Sequence, residues 1–418
     1  VAPGEKNKVV LGIEITLTNP LATDTLQSIA LSTMGSNAPP LDITKAKLWY
    51  TNTQKCLADT NAALLFGSFV SPNGNFTITG NQPLAGGAVN YFWLTYDINN
   101  AAVNNDSVKG ACVSANINGN NHAVVIPSAS LARKIRTKTN YAHKEANVWY
   151  VSEGYGVNFN CSPPEVLTDP SSAYTPSEGD ATISDKNGNL LFYTDGSGQV
   201  FNRCHNNMPN ASGLSKTQSS WQGQLIVPKP GSTSRYYIFQ ADDIVNPGKP
   251  RVLFYSEVDM NLNNKAGDVI VTDTLLTNVF AEAQNAVKAS CNSENLWLIT
   301  GKDSTNLFYA YLITPAGIQP PVISAVGPVF RGGSLDDNRQ MLKFSPNGKM
   351  LIRYQLYGDV PVLYNFNNST GEVSNARQLQ QCLGPASFSP DNSKLYLISW
   401  FVDRYINTIY ARRPSQEY

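Results

Sequence analysis

Gly188-Asn189-Leu190-Leu191-Phe192-Tyr193-Thr194-Asp195-Gly196 reads GNLLFYTDG: a turn, five strand-forming residues and a second turn. The wording returns as SRYYIFQAD from Ser234, ENLWLITGKD from Glu294, GKMLIRYQLYGD from Gly348 and SKLYLISWFVD from Ser393. Successive copies lie roughly 45 to 60 residues apart, the span of a four-stranded propeller blade. Each is followed by a second apolar stretch and a turn rich in Gly or Asn, as in RVLFYSEVDMNLNNKAGDV from Arg251. Two copies are led by FSPNGK (Phe344–Lys349) and FSPDNSK (Phe388–Lys394). There Pro presets φ and Asn or Gly accepts a positive φ, so both read as hairpin turns. GNLLFYTDG is thus expected to be an inner blade strand, repeated because each blade must bury its faces against the next. About five blades follow, at 181–221, 222–281, 282–326, 339–381 and 382–418, and the last lacks an outer strand. ANVWYVSEG (Ala146–Gly154) adds a strand before the first.

Upstream of this array the period is different. VVLGIEITL (Val9–Leu17), GNFTITG (Gly74–Gly80) and NYFWLTYDI (Asn90–Ile98) alternate apolar and polar residues, with short turn segments between them. Half-buried strands at such spacing make a β-sandwich. The polar run RKIRTKTNYAHKEA (Arg133–Ala146) divides the two regimes. The expected fold is all-β: a sandwich over 1–135, a linker over 136–146 and a β-propeller over 147–418.

The 418 residues carry 31 basic and 31 acidic side chains, a formal net charge of zero, and only 15% are charged. Surface polarity must come from amides and hydroxyls. Phosphate binding needs a concentrated basic face, so nucleic acid is not an expected partner. The longest apolar run, AALLFGSFV (Ala62–Val70), is strand-sized, so no membrane insertion is expected. The chain opens at Val1 without Met or a signal peptide, which reads as a processed product or a fragment.

Cys56, Cys112, Cys161, Cys204, Cys291 and Cys382 are an even set without CxxC spacing, and there are only three histidines. They read as disulfides of a secreted, cell-surface protein, with no metal and no cofactor. DKNGN (Asp185–Asn189) has the alternating oxygens of a calcium loop but no distal Glu, so a plain turn is expected. Trp149 and Trp297 sit inside repeated strands and are expected in the core, whereas Trp221, in TQSSWQGQ, is a candidate sugar platform. Asp195, Asp242 and Asp303 end the repeated strands and either line one rim or cap turns.

NVWYVSEGYGVNFNCSPPEVLTD, SEGDATISDKNGNLLFYTDGSGQVFNRCHNNMPNASGL and ASFSPDNSKLY together resemble the propeller near the front of large surface proteins of Bacteroidota. The resemblance runs from about Asn147 to the end. It implies export by the type IX secretion system. VAPGEKNKVVLGIEI and DITKAKLWYTNT are similar to the β-sandwich that precedes BNR-repeat sialidases. Where the propeller relatives read Asn-Arg-Asn-His, this chain has Asn202-Arg203-Cys204-His205, and it also gains Cys161. Propeller connectivity brings those segments together, which implies a Cys161–Cys204 bridge. Cys56 with Cys112 is then the natural set in the sandwich, and Cys291 with Cys382 remains. The phylum's Asp-Ser/Thr glycosylation pattern implicates Thr25, Ser107, Thr274 and Ser304.

A sialidase needs an arginine cluster, a Tyr/Glu pair and an acid Asp on Ser-x-Asp-x-Gly-x-Thr-Trp blades. Here Lys186 stands where that box wants Asp, and two carboxylates at working distance cannot be assigned. The expected function is a non-enzymatic structural or adhesive module. Its expected partners are other domains, copies of itself or glycans. The alternative is a glycan-acting hydrolase.

Overall fold

The computed structural model of the protein describes residues 1–124, 132–138, 144–152, 155–168, 179–211, 213–215, 222–241, 252–278, 281–289, 293–302, 305–329, 340–355, 360–379, 386–398 and 409–412. It is all-β. The first nine strands are β1 (Lys8–Thr16), β2 (Thr25–Ser32), β3 (Ile43–Tyr50), β4 (Leu64–Val70), β5 (Asn75–Pro83), β6 (Val89–Ile98), β7 (Ser107–Val108), β8 (Ala111–Ile117) and β9 (Asn120–Ala123). Eight of them form two four-stranded antiparallel sheets, β1-β6-β3-β4 and β5-β2-β8-β9. Alternation decides which side faces in. On β6, Phe92, Leu94 and Tyr96 are fully buried and join Leu26, Ile29, Leu31, Ala46 and Leu48 in one core. This is a sandwich.

The polar run after the sandwich is structured at its start. Arg133–Lys134 pairs with β7, and Thr137–Lys138 pairs with Cys161–Ser162. Between them Ile135 is wholly buried in the sandwich core. A six-residue segment, 133–138, therefore joins both parts of the molecule, with two residues paired on each side.

Among the described residues, six small antiparallel sheets follow in a propeller-like succession, numbered I to VI here. Sheet I is 148–152, 155–158 and 165–168, and sheet II is 181–184, 190–194 and 200–202. Sheet III is 224–228, 235–241, 253–259 and 268–277. Sheet IV is 281–288, 296–301 and 307–314, with 317–318 and 322–325 both paired to the last of these. Sheet V is 340–344, 350–355, 362–367 and 372–378, and sheet VI is 386–388, 395–398 and 409–412. The first strands of consecutive sheets lie beside one another. The strand at Ala146–Gly154, expected as a single addition, carries a sheet of its own.

Each core cluster of this half spans two consecutive sheets. Val148 and Tyr150 meet Tyr193 and Phe201 between I and II, and Phe192 meets Ile238 and Val258 between II and III. Phe239 meets Leu298 and Ile313 between III and IV, Phe308 meets Leu342 and Tyr364 between IV and V, and Ile352 meets Phe388 and Leu397 between V and VI. The repeated wording is an inner strand in each of sheets II to VI: Leu190–Thr194, Arg235–Ala241, Leu296–Gly301, Met350–Gln355 and Leu395–Ile398 are each the second strand, with a hydrogen-bonded neighbour on either side. A second strand is hydrogen-bonded on both edges and covered on both faces, so it carries the longest continuous apolar run.

Trp297 is buried as expected, but Trp149 is 49% exposed. Its indole Nε1 donates to the Ala146 carbonyl at 2.7 Å and its ring leans on Phe159. The alternation puts it on the outer face of sheet I, opposite buried Val148 and Tyr150.

The turns follow side-chain logic. Asp185 Oδ1 accepts from the backbone of Asn187 and Asn189 at 2.8 and 2.9 Å, so DKNGN is a capped hairpin turn. In the Ser389–Lys394 turn, hydrogen bonds from the hydroxyl of Ser389 and from the backbone and hydroxyl of Ser393 hold the exposed Asp391 carboxyl down at about 2. A depressed carboxylate stabilises the fold above its unfolded pKa, near ~4, and that contribution is lost as pH falls through the folded value. A carboxyl titration followed by NMR should therefore place Asp391 about two units below a free aspartate; a midpoint near ~4 would contradict the capped turn.

Candidate functional site at the seam and the inner strand ends

The loop 51–63 between β3 and β4 leaves the sandwich and meets sheet II. Cys56 is disulfide-bonded to Cys204, 148 residues away. The expected Cys161–Cys204 and Cys56–Cys112 bridges are both overturned: Cys112 and Cys161 are free thiols. The reason is the direction of the 202–206 turn. It points at the sandwich, where Arg203 Nη1 donates to the Ala58 carbonyl at 2.9 Å and Asn206 Nδ2 donates to that of Lys55 at 3.3 Å. Cys112 stays on β8, where burial pushes its thiol up to about 11. Cys161 sits on the short strand paired with the connecting segment, and burial is the main cause that raises it. Cys291 and Cys382 lie outside the described residues.

A second contact closes the seam. Gln54 donates through Nε2 to the Asn263 carbonyl at 3.2 Å and accepts from Asn264 Nδ2 at 2.6 Å. The DMNLNNKAGD turn of sheet III thus faces the sandwich, and its Asn263, Asn264 and Lys265 all have positive φ. Burial pulls the Arg203 guanidinium down, and the charges of Asp185 and Asp59 oppose that. Between loop and sheets is a cavity of about 500 Å³ lined by, among others, Tyr50, Gln54, Asp59, Gln82, Leu84 and Asn264. Tyr50 donates to Asn90 Oδ1 at 2.7 Å, and burial raises its hydroxyl despite the Ala85 backbone. The lining is about equally polar and apolar: Ala58, Ala62, Leu64 and Leu84 stand beside the amides of Gln54 and Asn264.

The inner ends of the sheets carry a second polar cluster. Gln224 and Gln240 are cross-strand partners on sheet III, and Gln284 and Gln340 belong to the first strands of sheets IV and V. All four are buried. Gln284 Nε2 faces three carbonyls, those of Gln222, Gly223 and Phe239, at 3.2–3.3 Å. Gln222 reaches from the entry of sheet III to sheet V: its Nε2 donates to the Leu342 carbonyl at 3.0 Å and its Oε1 accepts from Leu342 N at 2.8 Å. No sequence signal singled out these glutamines. They are scattered over 119 residues, and only the sheet register assembles them.

Asp195 is fully buried and accepts from Ser197 N at 2.8 Å and Ser197 Oγ at 2.6 Å, which is the turn-capping role. Trp221, Asp242 and Asp303 lie outside the described residues. Of the glycosylation candidates, Thr25, Ser107 and Thr274 are half-buried in strands, and Ser304 lies outside the described residues. Among the described residues, no group of three His, Cys, Asp or Glu side chains is placed to hold a metal ion, and no helix is long and apolar enough to cross a membrane.

No protein-family model and no curated protein matches the chain. Among solved structures the chain is similar to the Hadza microbial sialidase Hz136, at 10% identity and TM-score 0.29 over 95% of this chain and 84% of that one. It is also similar to an auxiliary nutrient binding protein from Bacteroides thetaiotaomicron, at 11% and 0.34 over 95% and 85%. A third likeness is to Kuenenia stuttgartiensis hydrazine synthase, at 9% and 0.34 over 73% and 92%. Likenesses this distant carry no argument about activity.

Proposed function

We propose that the chain is a structural and adhesive module of a large secreted cell-surface protein, exported by type IX secretion and working through contacts with other domains, copies of itself or surface glycans. The observation that carries this reading is the Gln222 bridge. A glycosidase needs two carboxylates facing an open site. Among the described residues, the inner ends of sheets III to V carry carboxamides, and one of them ties the entry of sheet III to sheet V. Asp195, the one of the three strand-end aspartate candidates that lies among the described residues, is buried and engaged with its own turn. The Cys56–Cys204 disulfide belongs to an oxidising compartment. Leu64, Leu65 and Val70 stand exposed on β4, at the edge of its sheet, which suits contact with another domain.

Incubation of the purified protein with sialosides and a mixed panel of glycosides should release sugar at the rate of buffer alone. Turnover far above buffer, lost on replacing one carboxylate, would replace this reading with the hydrolase alternative. In the native host, loss of type IX export should remove the protein from the cell surface.

A further inference from the structure

On the outer face of the first sandwich sheet, three side chains meet that could react with one another. Lys47 Nζ lies 2.7 Å from Oδ1 of Asn7, and 2.9 and 2.8 Å from Oδ1 and Oδ2 of Asp97. The backbone N–H of Asn7 donates to the same Asp97 Oδ1 at 2.9 Å, and Asn7 Nδ2 donates to Thr60 Oγ1 at 3.3 Å. Asn7 holds a φ of +54°, a conformation asparagine tolerates better than most residues. Water is largely kept away: the side chains of Lys47 and Asp97 are 16% and 12% exposed, and Thr95, whose hydroxyl takes the Trp49 indole N–H, is fully buried beside them. The loop that carries Thr60 is the one tethered through Cys56.

From this geometry we infer that Lys47 and Asn7 become joined by an intramolecular isopeptide bond, with Asp97 as the proton shuttle. An amine, a carboxamide and a carboxylate in mutual contact are a nucleophile, an electrophile and a general base and acid. Asp97 first takes one proton from the Lys47 ammonium. The lone pair on Nζ then attacks Cγ of Asn7. The carboxyl gives its proton to Nδ2, the Cγ–Nδ2 bond breaks, and Asp97 takes the second proton from Nζ. Ammonia leaves and collects that proton in water, so that an Nζ–Cγ amide and an ionised Asp97 remain. No oxidant or cofactor enters. Holding the groups in contact makes this otherwise slow aminolysis unimolecular.

The sheet order gives the bond its consequence. Asn7 immediately precedes edge strand β1, Asp97 is on β6, and Lys47 is on β3, so the crosslink passes across β6 and ties the edge of the sheet to an interior strand. An edge strand held only by hydrogen bonds frays or peels first under load. The bond would prevent that, whatever the chain's partners are.

The test is the intact mass of the full chain after reduction and denaturation. The expected mass is lower than that of the disulfide-reduced sequence by one ammonia, and proteolysis should yield one branched peptide holding both Asn7 and Lys47. Asp97→Ala should return the mass to that of the sequence, with the β-sheet circular dichroism retained. If that variant does not fold, Lys47→Arg keeps a cation beside Asp97 but removes the nucleophile, and it should also return the sequence mass. The unmodified mass in the parent chain, with the two segments recovered as separate peptides, would leave only a hydrogen-bonded ion pair and overturn the inference. Ammonia loss without the branched peptide, as from a succinimide at another asparagine, would overturn it too.

Discussion

Replacing Cys56 and Cys204 together by serine is expected to cost about 4 kcal/mol of stability against urea, because the bridge closes a very long loop in the unfolded chain and native disulfides of this kind contribute roughly 2 to 5 kcal/mol. The two cysteines are 148 residues apart, and the bridge joins a sandwich loop to the turn that ends sheet II. The hydrogen bonds from Arg203, Asn206 and Asn264 are too few to replace it, at about 1 kcal/mol each. Urea unfolding of the double variant, beside the parent with and without reductant, measures the difference. A loss under about 1 kcal/mol would mean that the seam holds without the bridge. Protease should also cut the 51–63 loop faster in the variant, since its anchor at residue 56 is gone.

Trp297→Ala is expected to cost about 4 kcal/mol, in the range for removing a buried indole. Trp297 lies on the second strand of sheet IV but is satisfied by sheet V. Its Nε1 donates to the Asn368 carbonyl at 2.8 Å, and its ring meets Phe366 edge-on at 6.3 Å. Gly371 closes the arrangement. It sits at a φ of +80°, and a Cβ there would come within 2.5 Å of the indole ring. Gly371→Ala should therefore destabilise the same seam from the other side, through both backbone strain and overlap. Thermal unfolding of both single variants and of the pair would show the coupling: the two losses should fall short of adding, since both disturb one contact. Full additivity would mean that Trp297 and Gly371 act separately.

Both experiments probe joints between neighbouring units, and joints are where the one-dimensional reading stopped. The strands themselves were legible. Alternation along Asn90–Ile98 marked which side of β6 enters the core, and the run Leu190–Thr194 marked a strand covered on both faces, because burial imposes a period that survives in the residue order. Ser345 and Ser389, followed by Pro, predicted the hairpin turns that the structure has, because turn chemistry is local.

What the order of residues could not decide was which distant segments meet. Cys161 and Cys204 both belong to the first repeats, yet the partner of Cys204 is Cys56, since the 202–206 turn faces the sandwich. Trp149 occupies a repeated strand like Trp297 but lies half-exposed on the outer face of sheet I. Gln222, Gln224, Gln240, Gln284 and Gln340 carry no local signal, because a glutamine is equally at home on a surface. Lys47, Asn7 and Asp97 likewise carry no local signal in the sequence. Periodicity determined the strands and their faces by itself. Only the tertiary structure decided the disulfide, the amide cluster and the lysine–asparagine contact, because each depends on sheet order and register between segments far apart in the chain.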